Sequence, residues 1–134
     1  MKLPDGATVA VIDGEKVKLF RNSDQDDTPK LTALPDPAVN QDNHGSGAGH
    51  HSSSANPDHG QLEEDSHTAG VAAVLNKAAS VGNIKHLVVI ASPRALGELR
   101  KHYGKPLSGV IEKEIAKDLT GHSVPDIEKA IAAA

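Results

Sequence analysis

Hydrophobic positions along the chain alternate between two periods. Thr8 to Ile12 is a short apolar run, and Lys16 to Phe20 alternates Lys16/Val17/Lys18/Leu19. The first reads as a central strand apolar on both faces, the second as a half-exposed strand. Asp13-Gly14 between them is a hairpin signal, and the two-residue turn it predicts holds both residues at positive φ. Lys30 to Leu34 predicts a third strand, closed by Pro35 and Pro37. From about Leu62 to Val81 the spacing turns helical: Val71, Val74, Leu75 and Ala78 fall on one face, and Gly82-Asn83 stops it. His86 to Ala91 is continuous and apolar, a second central strand. Ser92-Pro93 starts a helix over 93–103, with Leu96, Leu99 and Tyr103 inward and Gly104 and Pro106 ending it. Ser123 caps a last helix over 124–132.

Leu107 to Thr120 resists assignment by period. Ile111, Ile115 and Leu119 fit a helical face and equally the odd positions of a strand. The order is thus β-β-β-α-β-α, then a strand or helix, then α. With 110–119 as a strand, it is the order of a ribonuclease H-like α/β fold: a mixed five-stranded sheet with the 8–12, 86–91 and 112–118 strands parallel in its centre.

Residues 36–61 differ from the rest. Asn40 to Ser54 has almost no apolar content, and a long polar loop after the third strand is expected there. At 134 residues the chain is about one domain. Its only aromatics are Phe20 and Tyr103, so core volume must come from Val, Ile, Leu and Ala, and a homodimer burying extra apolar area would help it.

With no Cys, disulfides and thiolate chemistry are excluded. Met1 to Asp5 lacks the apolar region of a signal peptide and no run reaches membrane-spanning length, so a cytoplasmic location is expected. The net charge of −4 hides an asymmetry. Residues 1–67 hold 5 Lys/Arg against 12 Asp/Glu, and residues 68–134 hold 9 against 6. Lys77, Lys85, His86, Arg94, Arg100, Lys101, His102 and Lys105 hint at a basic surface, where an ordinary solvated face is the plainer expectation.

Candidate chemistry is sparse. Two-metal cleavage needs carboxylates from several elements. Asp13 and Glu63 or Glu64 qualify, yet the fourth strand ends in Ala91-Ser92-Pro93 without an acid, and Asp13 suits the turn. His44, His50, His51 and His59, with His67 beyond them, are weak metal candidates in a Gly- and Ser-rich stretch. Gly45-Ser46-Gly47-Ala48-Gly49 lacks the flanking strand and helix of a phosphate loop. Ser92 with His86 or His102 makes a less economical nucleophile than a helix cap. No cofactor and no catalytic residue are expected. The surface favoured for a partner is Arg94, Glu98, Arg100 and Lys101, past the carboxyl end of a central strand.

Several blocks together carry a resemblance: Pro4-Asp5-Gly6-Ala7-Thr8-Val9 with Asp13-Gly14, Phe20-Arg21-Asn22, Val71-Ala72-Ala73-Val74-Leu75-Asn76, Ser92-Pro93-Arg94-Ala95-Leu96-Gly97-Glu98-Leu99-Arg100, and Lys117-Asp118-Leu119-Thr120-Gly121-His122. They resemble the bacterial host attachment protein family, proteins required for attachment to host cells, itself distantly related to the middle domain of archaeal and eukaryotic peptide-chain release factors. The resemblance implies a strand over 110–119 and a non-enzymatic interaction or adaptor role with a protein partner. The release-factor kinship implies, as the alternative, a ribosome- or RNA-associated factor. A metal-dependent hydrolase or nuclease comes third. Release factors hydrolyse peptidyl-tRNA through Gly-Gly-Gln. Here the nearest match is His59-Gly60-Gln61, where His removes part of the backbone freedom that Gly supplies, so release activity does not carry over.

Overall fold

The computed structural model describes residues 3–23, 29–39 and 59–134, with side chains from Leu62 onward in the last stretch. Five strands form one sheet: β1 (Thr8–Ile12), β2 (Val17–Asn22), β3 (Leu31–Ala33), β4 (Leu87–Ala91) and β5 (Ile111–Ala116), in the order β3-β2-β1-β4-β5. β2 is antiparallel to β1 and β3, whereas β4 runs parallel to β1 and β5. The helices are α1 (His59–Ser80), α2 (Pro93–Arg100), α3 (Lys105–Val110) and α4 (Val124–Ala132).

Alternation along β1 and β4 explains the layering. Ala10, Ile12, Val89 and Ala91 face one side and meet Val71, Ala72 and Leu75 of α1, Leu96 and Leu99 of α2, and Leu107 of α3. Val9, Val11, Val88 and Ile90 face the other side and meet Ile127 and Ile131 of α4. Every residue of β1 and β4 is buried, as expected for strands covered on both faces.

Four details differ from the sequence reading. First, Asp13-Gly14 does turn the chain, but through four residues between Ile12 and Val17, and among the described residues only Gly6 and Gly82 have positive φ. Asp13 Oδ1 accepts the amides of Glu15 at 2.7 Å and Lys16 at 2.6 Å, so the aspartate side chain closes the turn. Second, the helix expected to run to Tyr103 ends at Arg100. Pro106 opens α3, one of its first two residues, behind Gly104 as N-cap, where a missing amide costs nothing. Third, β5 lies at an edge of the sheet and not in its centre. Fourth, Ser92 stands at the N-cap of α2 without a side-chain capping bond, whereas Ser123 accepts the Asp126 amide at the start of α4.

Both edges are guarded. β3 is only three residues long, and its Leu31 amide donates to Glu128 Oε2 of α4 at 2.8 Å. β5 carries a register shift against Leu87 and Val88, which leaves Glu112 as the extra residue; its carboxylate holds His86 Nδ1 at 2.8 Å.

Candidate functional site

The parallel strands give the sheet two unlike ends. At their carboxyl end sit the β1–β2 turn, the first turns of α1 and α2, and the segment after β5. Asp13 is the centre of this end. Its Oδ2 accepts the Thr120 hydroxyl at 2.6 Å, and that hydroxyl also lies 3.1 Å from Asp118 Oδ1. Partial burial pushes the Asp13 carboxyl up; the Thr120 hydroxyl, the two turn amides and the nearby His67 outweigh it and hold it below its usual range. Glu64 packs so closely on Gly14 that a Cβ there would fall 2.8 Å from its side chain.

On α1, Ser66, His67 and Thr68 form a buried polar run. Ser66 and Thr68 satisfy their hydroxyls on the Leu62 and Glu64 carbonyls one turn back. His67 is 4% exposed, and its Nε2 has no hydrogen-bond partner among the described residues. It lines a cleft of about 350 Å³ with Glu15, Lys16, Lys18, Asp36 and Val39. Among the described residues no group of His, Asp or Glu is arranged to hold a metal ion. His44, His50 and His51 lie outside the described residues, and His59 is the first residue of α1. Of the carboxylates considered for cleavage, Asp13 has both oxygens engaged in the turn and with Thr120. Ser92 sits at the start of α2, His86 pairs with Glu112 and His102 with Glu98.

At the amino end of the parallel strands, α1 and α2 finish and β4 and β5 begin. Asn76 ties this end together: its Nδ2 donates to the His102 carbonyl and its Oδ1 accepts the Gly104 amide, both at 2.8 Å. Gly82 at φ +84° reverses the chain after α1, with the Asn83 and Ile84 amides returning to the Ala78 carbonyl. The Thr8 amide then donates to the His86 carbonyl at 2.8 Å, which sets Lys85 and His86 against the sheet's margin.

The four residues favoured for a partner lie along α2 and at its C-cap Lys101. Arg94 is exposed at the carboxyl end, at the start of α2. Arg100 reaches across to β5, where its Nη2 meets Glu114 Oε1 at 2.7 Å and its Nε donates to the same carboxylate at 3.1 Å. Tyr103 donates its hydroxyl to Glu114 Oε2 at 2.8 Å. The Arg100 guanidinium draws the Glu114 carboxyl below its usual range, with Tyr103 adding to the pull against partial burial. Burial first, and then that carboxylate, drive the Tyr103 phenol far upward. Glu98 is enclosed between Lys101 and His102, each at 3.1 Å. Three of the four are therefore engaged within the molecule. Sequence spacing is silent on the Arg100 pair because Glu114 lies on another element.

A family model described as bacterial archaeo-eukaryotic release factor family 12 matches residues 6–131. That span covers all five strands and nearly all of α4, and its description speaks of release factors, not of attachment to host cells. The chain is also similar to an uncharacterized protein, RP470, of Rickettsia prowazekii (strain Madrid E), with 40% identity over 53 residues. That stretch is 40% of this chain and 35% of the relative, so the match spans about a third of that protein's length. No described helix is long and apolar enough to cross a membrane. With the match running through the sheet and all four helices, the chain belongs to bacterial archaeo-eukaryotic release factor family 12.

Proposed function

We propose that this chain is a translation-related, RNA- or ribosome-associated domain that acts by binding and not by catalysis. The observation that carries this reading is the family match over residues 6–131, which spans both helical layers and the sheet between them. The strand order β3-β2-β1-β4-β5, with α1, α2 and α3 on one face and α4 on the other, supports a ribonuclease H-like fold for the domain.

Two features support the non-catalytic part. Asp13, the acid best placed at the carboxyl end of β1, spends both oxygens on the turn amides and Thr120. The residues nearest to a release-factor Gly-Gly-Gln, His59-Gly60-Gln61, are the first turn of α1 and carry His at the first position.

The reading is tested by capture from a bacterial lysate with and without ribonuclease. Recovery of ribosomal RNA or ribosomal proteins that disappears on ribonuclease treatment is expected. A partner set that is free of ribosomal components and indifferent to ribonuclease refutes it.

A further inference from the structure

Among the described residues the two ends of the sheet differ in their charged side chains. Asp13, Glu15, Glu63, Glu64, Asp65 and Asp118 belong to the segments at the carboxyl end of the parallel strands. The opposite end collects Lys77 from the last turn of α1, Lys85 from the loop before β4, Arg100 and Lys101 from the end of α2, and Lys105 from the start of α3. Asn76, bonded to His102 and Gly104, holds the first and last of these segments together.

Three of the described acids at this end are already matched. Glu98 takes Lys101 and His102, Glu112 takes His86, and Glu114 takes Arg100. Lys77, Lys85 and Lys105 are exposed and enter no ion pair among the described residues. Local helix electrostatics explains Lys77, since a cation is favoured in the last turn of a helix. It does not explain Lys105, the first residue of α3, where the helix dipole disfavours a cation.

We infer that Lys77, Lys85 and Lys105 form a docking surface for the phosphate backbone of double-stranded RNA. This rests on the RNA-associated reading above and names its surface. Three cations left over once Glu98, Glu112 and Glu114 are paired are complementary to a phosphate ridge. The duplex form follows from the aromatic inventory. Single strands are held by bases stacked on aromatic side chains. The chain has one Phe and one Tyr; Phe20 is 4% exposed in the core, and Tyr103 is bound through its hydroxyl to Glu114. With Phe20 and Tyr103 withdrawn, exposed charge predominates at this end, which suits recognition of a helix by its backbone.

The test measures binding of the full chain to a fluorescent RNA duplex and to a single strand of the same length across a salt series. Wild type should prefer the duplex, with affinity falling linearly in log salt. Replacing Lys77, Lys85 and Lys105 by Gln should lower duplex affinity at low salt by about tenfold or more and flatten the salt slope by about one for each phosphate no longer neutralised. A variant with Arg at the same three positions should bind as wild type does, which separates charge from any folding defect. A variant with Gln at Lys16, Arg94 and Lys117, exposed at the opposite end, removes equal charge and should keep the affinity within about threefold. Wild type binding no RNA at all would sink both this inference and the RNA-associated reading. Duplex binding untouched by the Lys77, Lys85 and Lys105 changes would sink this inference alone. A preference for the single strand, or capture of an acidic protein through these lysines without duplex binding, would also overturn it.

Discussion

Asp13 and Thr120, 107 positions apart in the chain, are joined by a 2.6 Å hydrogen bond from the threonine hydroxyl to Asp13 Oδ2. The bond fastens the turn after the first strand to the segment that follows the last. Thr120 is 5% exposed, so Thr120→Val keeps the shape and removes only the donor. The expected loss is about 1–2 kcal/mol at neutral pH, read by urea unfolding. Asp13 is held below its usual range in the folded state, so the folded chain binds fewer protons than the unfolded one in acid. Its contribution is present above the unfolded value of about 3.9 and is lost as pH falls through the folded one. The gap between wild type and Thr120→Val should therefore narrow in that acid window. A gap that widens on acidification would contradict the assignment.

Asn22 is fully buried and works in two directions. Its Nδ2 donates to the Leu3 and Pro4 carbonyls at 3.2 and 3.0 Å, and its Oδ1 accepts the Lys30 amide at 3.0 Å. It joins the segment before β1 to the start of β3. Asn22→Ala leaves these groups unpaired and should cost about 2–4 kcal/mol. Denaturant midpoints check it, and a cost under about 0.5 kcal/mol, the range of an ordinary surface change, would show that the network is dispensable.

Tyr103 is the only tyrosine and the chain has no Trp, so its ionisation can be followed alone by ultraviolet absorbance. Burial and the Glu114 carboxylate both raise its pKa. The phenol should stay protonated at pH values near 10, where a free tyrosine is half ionised. Glu114→Gln should bring the transition down. Ionisation of folded wild type at the ordinary value would contradict the placement of Tyr103 against Glu114.

Much of the fold was legible where a single element decides it. Ser123, Val124, Ile127 and Ile131 marked α4 in full, because cap and stripe lie within nine residues of one another. The continuous apolar runs at 8–12 and 86–91 marked the two strands buried on both faces. Pro106 misled because a proline ends one helix and begins another by the same missing amide, and only the backbone around Gly104 tells which. The period of Ile111, Ile115 and Leu119 could not choose between strand and helix; pairing with β4 chooses. The candidate site was least legible. Arg100 reads as an outward cation on its own helix, and its partner Glu114 comes into reach only when β5 is laid beside β4. Asp13 with Thr120, and Glu128 with the Leu31 amide, are likewise products of the tertiary fold.

The most direct measurement is sedimentation of the purified chain with bacterial ribosomes as salt rises. The RNA-associated reading predicts co-sedimentation at about 50 mM salt that falls steeply by about 200 mM, as phosphate contacts exchange with counterions. A chain that stays in the supernatant at low salt, or sediments equally well at every salt concentration, would contradict it.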